Sequence, residues 1–476
     1  MDLFYSDRKL FDKVVWRRYT LKDEVYVVIY NLNHHRIAIL DDVSALIFAS
    51  LADDEQDGLR RLMIENDLSE QDIAEFIKDL IDNAILNDSA SEGMPHIGGD
   101  KSHEDEDRSV LEDLHKKLYS NSYLYSVHID VTNQCNMRCI HCYHPFDEYD
   151  KSNVLRFDDI KKIIDEAFSL GVFRVTISGG EPFLRCDIFD ILEYISRKGM
   201  IIDVFTNATL LNNDVVVNKL MDYNINEVGI SVYSTRKDIH ELITQAPSYE
   251  NTFAAIAKLR ACGILCKLKC ILMKYNIDCY DELVRYSIEQ DCTLVFDTGI
   301  TPKLNGDIAP TELMLEWDDI LALSMDSSTK FYPIPLDSLD PEHSPCNAGK
   351  YGLYVDSMGN VYPCVSLQMY LGNIHEDSLI NIWHHNVALK RWQKMKNKDF
   401  IGFNEHSYCR YCMEICAGIA QLETGQYDRC PKSACYQARA REEAHKRILM
   451  KTVSQQRGHG EGEGEDAQPL RRWHPR

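Results

Sequence analysis

Apolar and polar positions change rhythm several times along the chain. From about residue 123 to 300, short apolar runs alternate with amphipathic stretches. VHIDV (127–131), FRVTIS (173–178), IIDVF (201–205), EVGISV (227–232), CKLKCILM (266–273) and LVFD (294–297) carry the β-branched signature of strands. DDIKKIIDEAFSL (158–170) and DELVRYSIEQ (281–290) show a helical period instead. Six such units predict parallel strands joined by right-handed crossovers. Six are too few to close an eightfold barrel, so an α/β fold built as a partial, open (β/α)6 TIM-like barrel is expected. Its function should lie at the C-terminal ends of the strands.

Residues 1–88 have a different rhythm. EVYVVIYN (24–31) and RIAIL (36–40), separated by the polar LNHH, predict a hairpin in a sheet of two or three strands. Val43, Leu46 and Ile47 mark a helix over 41–52. Ser69 stands three residues before Asp72, a capping-box start. Ile73, Phe76, Ile77, Leu80 and Ile81 then form one apolar face of a second helix. Residues 88–109 are rich in Gly, Ser and charge and read as a domain linker. The expected division is an α+β unit over 1–88, a linker and connecting helix over 89–122, and a barrel over 123–305. A bridging region (306–345), a cysteine-rich domain with a closing helix (346–456) and a disordered tail (457–476) follow.

Composition changes the picture at two points. Net charge is −23, from 52 Lys and Arg against 75 Asp and Glu, which argues against binding nucleic acid or an anionic membrane. No signal peptide and no apolar run of about 18 residues is found, so a cytoplasmic protein is expected. The 16 cysteines are many for such a chain, and their spacing suggests metal or redox chemistry in a reducing compartment.

Cys135, Cys139 and Cys142 follow the first barrel strand. Three thiolates on one loop can wrap a soft metal centre, an iron–sulfur cluster or zinc. With three ligands, a four-iron cube keeps one iron open. Ser178-Gly179-Gly180-Glu181-Pro182 ends the second strand, where glycines allow close backbone approach to a ligand. Lys267 and Lys269 alternate with Leu268. If the leucine faces the helices, Lys269 points into the lumen, where it could pair a cofactor carboxylate; a solvated strand-end lysine is the other reading. Asp297, ending the sixth strand, could face the lumen or cap the chain. Cys346, Cys364, Cys409, Cys412, Cys416, Cys430 and Cys435 crowd into 90 residues, with a hairpin turning on Gly359. The other six cysteines lack ligand spacing and are expected to be small buried hydrophobes.

The CxxxCxxC loop followed by GGEP resembles the radical S-adenosylmethionine superfamily. The resemblance implies that Cys135, Cys139 and Cys142 hold a [4Fe–4S] cluster whose open iron binds S-adenosylmethionine. Reductive cleavage then gives methionine and a 5′-deoxyadenosyl radical that abstracts hydrogen from carbon. It also implies that Gly179, Gly180 and Glu181 meet the methionine end, that His141 lies near the adenine, and that Asn207 and Ser231 are cofactor contacts. Ala208 replaces the family's glycine after Asn207, and Tyr233 its acidic residue after Ser231. The seven later cysteines resemble a SPASM domain, which implies two auxiliary [4Fe–4S] clusters; the spacing departs from the family's and does not divide the ligands between them. The first 88 residues resemble, in pattern, the winged-helix-like PqqD-type recognition element of ribosomal peptide maturases.

Together these resemblances imply an oxidoreductase that modifies a precursor peptide, its leader held on residues 1–88 and its core joined by a thioether or carbon–carbon crosslink. Electrons would come from a flavodoxin or ferredoxin. Two alternatives stay open: a radical enzyme of cofactor biosynthesis or sulfatase-maturase type, and a zinc-binding peptide-capture protein.

Overall fold

A computed structural model describes residues 8–22, 24–88, 104–145, 154–325 and 338–458. Strands β1 (Val14–Leu21), β2 (Glu24–Asn31) and β3 (Arg36–Asp41) form an antiparallel sheet in that order. The helices Asp42–Ala52, Gln56–Glu65 and Glu70–Asp82 follow. The capping box forms as its spacing predicts: Asp72 N donates to Ser69 Oγ (3.2 Å), and Ser69 N donates to Asp72 Oδ2 (2.7 Å).

The pattern reading did not specify β1 or the helix Gln56–Glu65. VVWRRYTL hides its strand because its first three residues are apolar on both faces and two adjacent arginines follow, although Arg18 and Thr20 stay exposed. Val14 and Trp16 pack under the helices, while Val15, Tyr19 and Leu21 face the other way. Arg17, polar in sequence, is a docking residue: its guanidinium donates to Val172 O (2.7 Å) and to Phe168 O.

The second face of this sheet packs on the N-terminal end of the barrel. Val15, Tyr19, Val28 and Ile37 share a core with Tyr125, Phe173 and Ile201. Tyr19 Oη donates to Gly171 O (2.8 Å) and Tyr30 Oη to Asn226 Oδ1 (2.6 Å). The helix Glu104–Ser120 adds Leu114 and Leu118 to the same core, so the connecting helix begins inside the segment read as linker. Residues 89–103 of that linker lie outside the described residues.

All six barrel strands appear: β4 (Ser126–Asp130), β5 (Arg174–Ser178), β6 (Ile201–Thr206), β7 (Ile225–Ser231), β8 (Cys266–Ile271) and β9 (Thr293–Asp297). They pair in parallel, in chain order. Val127, Ile129, Val175, Ile177, Val204, Val228, Ile230 and Leu268 are fully buried beneath the crossover helices. Alternate residues point into the lumen.

The C-terminal hairpin is part of this sheet. β10 (Gly352–Val355) runs parallel to β4, with Gly352 beside Ser126 and Val355 beside Ile129. β11 (Asn360–Tyr362) and β12 (Gly372–Asn373) continue antiparallel, giving nine strands. The turn falls on Gly359, at φ +84°, a conformation in which glycine carries no steric penalty. The sequence marks the cysteine-rich region as a following domain; ladder pairing to β4 makes its first hairpin an extension of the barrel. The closing helix spans Lys432–Gly458, and residues 459–476 of the expected tail lie outside the described residues.

Among the six spare cysteines, Cys266, Cys270 and Cys279 are buried as expected, Cys262 and Cys292 are half-buried, and Cys186 is exposed in a loop. Cys186 is thus no core residue.

Candidate active site

The lumen is built in layers. At its N-terminal end the Arg174 guanidinium grips Asp203, with Nη2 3.0 Å from Oδ1, and Asn226 Nδ2 donates to the same oxygen (2.7 Å). Lys267 pairs with Glu227 at 2.7 Å. These buried charges are matched, which is what burial of charge requires. One layer up, Lys269 does face the lumen, but it has no carboxylate at ion-pair distance among the described residues. Its Nζ lies 3.6 Å from the centre of the Phe205 ring, and burial pushes its pKa down. Gly229 makes the room, since a Cβ there would stand 2.7 Å from Phe205 Cδ1.

At the C-terminal end, the loop after β4 is clamped by the glycines after β5. Gly180 N donates to Thr132 O (2.8 Å) and Glu181 N to Gln134 O (2.7 Å). A Cβ on Gly180 would stand 2.2 Å from Gln134 O, and one on Gly179 2.2 Å from Thr132 O. In the structure the glycines' close approach is thus to the cysteine loop itself. Glu181 is fully buried. Its carboxylate accepts from Thr206 Oγ1 (2.8 Å), Asn207 N (2.8 Å) and Phe183 N (3.1 Å), and burial pushes its pKa up to about 7.

Asn207 reaches the loop directly: Nδ2 donates to Asn136 Oδ1 (2.8 Å) and lies 3.9 Å from Cys135 Sγ. Ala208 takes φ +61°, a left-handed conformation that a glycine adopts freely. Ser231 ends β7 half-buried. His141 is half-buried, edge-on to the Tyr233 ring at 4.8 Å, and desolvation pushes its pKa down to about 4.

Cys135, Cys139 and Cys142 converge. Burial pushes all three thiols up, Cys142 to about 11, and each of Cys139 and Cys142 is raised further by its neighbouring cysteines. Thiolates held this way need a cationic centre, so the donor set fits a cluster.

The seven later cysteines divide four and three. Cys409, Cys412, Cys430 and Cys435 line one small cavity of about 20 Å³. Burial and the other members of this set push Cys430 up to about 12. Cys346, Cys364 and Cys416 form the second set; burial, then Cys346 and Cys416, push Cys364 up to about 11. A neighbouring cavity of about 380 Å³ is lined by Asp297, Cys412, Glu414, Cys416 and Arg441. Asp297 Oδ1 accepts from Gly299 N (2.7 Å), which is the capping arrangement. Among the described residues, no three His, Cys, Asp or Glu side chains converge tightly enough for a single metal ion.

Sequence reasoning missed several groups around the lumen: His128, Asp130, His144 and Tyr354. The signal for two of them was present, since His and Asp alternate with Val and Ile in VHIDV.

Comparison with known proteins places this geometry. Residues 129–287 match the radical SAM superfamily and 346–413 match SPASM, an iron–sulfur cluster-binding domain. An AdoMet-dependent heme synthase of Methanosarcina barkeri is 25% identical over 331 residues, 63% of this chain and 92% of that protein. The mycofactocin maturase MftC of Mycolicibacterium smegmatis is 26% identical over 282 residues, 55% of this chain and 70% of that protein. In fold, the chain resembles Streptococcus suis SuiB bound to its precursor peptide SuiA, with a TM-score of 0.55 and 17% identity, over 90% of this chain and 100% of that one. Among the described residues no helix is long and apolar enough to cross a membrane. The chain carries a radical SAM superfamily domain followed by a SPASM iron–sulfur cluster-binding domain.

Proposed function

We propose that the protein is a peptide maturase: it binds the leader of a ribosomally made precursor on residues 1–88 and oxidatively modifies the core, closing a thioether or carbon–carbon crosslink. The observation that carries this reading is the reach of the SuiB likeness. Ninety per cent of the chain is more than residues 89–476 could supply, so the likeness extends into the N-terminal unit. In that unit one sheet face is covered by helices and the other by the barrel. What is left for an extended peptide is an edge, β1 or β3, each paired on one side only.

Cys135, Cys139 and Cys142 would hold the first cluster, and the two later cysteine sets the auxiliary clusters. S-adenosylmethionine, when bound there, supplies a 5′-deoxyadenosyl radical. Gly179 and Gly180 hold the cysteine loop in place. Asn207, Ser231 and His141 surround the cofactor position, and Lys269 offers its charge to a carboxylate. The buried lumen walls exclude water from the radical. A flavodoxin or ferredoxin would supply the electron.

The experiment is coexpression with a precursor peptide followed by tandem mass spectrometry. Loss of two hydrogens per modification is expected. An unchanged mass with solvent deuterium uptake would point to epimerisation. An unmodified peptide beside active cofactor cleavage would overturn the reading for that peptide. The extensive match to the heme synthase favours one second reading, radical chemistry on a small molecule; that reading gives isolated leader peptide no affinity for the protein.

A further inference from the structure

The lumen face of β4 carries a carboxylate and an imidazole that the cofactor positions do not use. The Asp130 side chain is 3% exposed, and its Oδ2 accepts from Tyr354 Oη at 2.6 Å. Its Oδ1 lies 3.4 Å from His128 Nε2, and its Oδ2 3.9 Å from His144 Nε2. Neither Asp130 Oδ1 nor His128 Nε2 makes a well-aligned hydrogen bond, although both atoms are buried. The His128 side chain is still 24% exposed, and its ring stands edge-on between Phe205 (5.7 Å) and Tyr354 (5.3 Å).

This differs from the ion pairs at the base of the barrel. Arg174 and Asp203 close on each other with two hydrogen bonds, as a structural brace does. Asp130 instead sits behind a ring that keeps part of its surface in the lumen. A carboxylate in that place selects the tautomer with the proton on Nε2, so that Nδ1 is the acceptor. Contacts of this kind are commonly long before substrate arrives and tighten afterwards.

A peptide maturase needs such an acceptor. Each crosslink removes two hydrogens from the peptide. The C–H bond breaks homolytically, and its hydrogen atom goes to the 5′-deoxyadenosyl radical. The second hydrogen, on the sulfur or carbon that closes the link, leaves as a proton while the new bond forms. The remaining electron reduces a one-electron oxidant, an oxidised auxiliary [4Fe–4S] cluster. We propose that His128, oriented by Asp130, is the base that takes this proton. The proposal rests on the peptide-modifying reading above.

The test uses the full-length, cluster-loaded enzyme with its precursor peptide, and counts crosslinked product and 5′-deoxyadenosine together. Product from the wild type tests the peptide reading, and none would overturn both. Given wild-type product, His128→Ala is expected to lower product per deoxyadenosine about 10²-fold. Deoxyadenosine itself should fall no more than about two-fold, and the peptide's affinity, read by fluorescence anisotropy, should hold. Added imidazole should restore product several-fold. Asp130→Asn should lower the same ratio about ten-fold with the peptide KM unaltered, as expected of a positioning residue. If His128→Ala loses its iron, His128→Gln, matched in size and unable to take a proton, replaces it and is read by the product ratio alone, without the imidazole arm. Product and deoxyadenosine falling in parallel, a wild-type ratio in the variants, or no rescue by imidazole would each overturn the role of His128.

Discussion

The two ends of the barrel are built from the same strands but finished differently. At the N-terminal end the charged and polar groups are answered: Arg174 by Asp203, Lys267 by Glu227, and the neutral Asn226 amide by Tyr30 and Asp203. A sheet from another part of the chain seals it. At the C-terminal end, converging thiols are pushed up by burial and by one another, Glu181 is driven toward neutrality, and Lys269 rests on an aromatic ring instead of a carboxylate. One end is complete as protein. The other is complete only with a ligand, and the energetic strain of burying unmatched groups marks where that ligand belongs.

That contrast can be broken at several points. The largest effect is expected at the open end. Replacing any of Cys135, Cys139 or Cys142 by Ala should abolish 5′-deoxyadenosine formation and remove about four irons per chain, while circular dichroism stays that of the folded protein. At the closed end, Arg174→Leu leaves Asp203 buried and unpaired. It should cost about 3–5 kcal/mol in denaturant unfolding and leave the iron of the first cluster in place.

Glu181 links the open end to pH. The folded chain keeps this proton up to about pH 7, whereas an unfolded chain releases it near about pH 4.3. Between those values the folded state binds more protons, so stability should fall as pH rises, by about 4 kcal/mol in all. Glu181→Gln should remove that slope from urea titrations at pH 5 to about pH 7.

Smaller effects sharpen the comparison. Gly180→Ala must push Gln134 away, at a cost of about 1–3 kcal/mol, and should lower iron incorporation at the neighbouring loop. Ala208→Gly should relieve the left-handed backbone and raise stability by about 1 kcal/mol, visible as a small rise in Tm.

Much of this was legible in the sequence because each feature obeys one local rule. The six barrel strands are apolar on the helix side and short, and the Ser69–Asp72 box and the Gly359 turn are local chemistry. What escaped is non-local. β1 was hidden because Val14, Val15 and Trp16 are apolar on both faces and the pair Arg17-Arg18 breaks the alternation, and Arg17 reads as polar until Val172 and Phe168 arrive from the barrel. Pairing of β10 with β4 joins residues more than two hundred positions apart. The seven cysteines could not be divided by spacing, because Cys412 and Cys416, four residues apart, belong to different groups, Cys412 with Cys409 and Cys435, and Cys416 with Cys346 and Cys364. His128 and Asp130 became visible as a unit only once Tyr354 closed over them.

On the proposed reading the open end holds the radical-generating cluster and the later cysteines hold two more. The most direct measurement is on anaerobically purified protein, reduced and mixed with S-adenosylmethionine, with iron, sulfide, zinc and 5′-deoxyadenosine counted in one preparation. About 10–12 irons per chain, matching sulfide and steady formation of deoxyadenosine are expected. One or two zinc ions per chain, without iron or deoxyadenosine, would contradict the account.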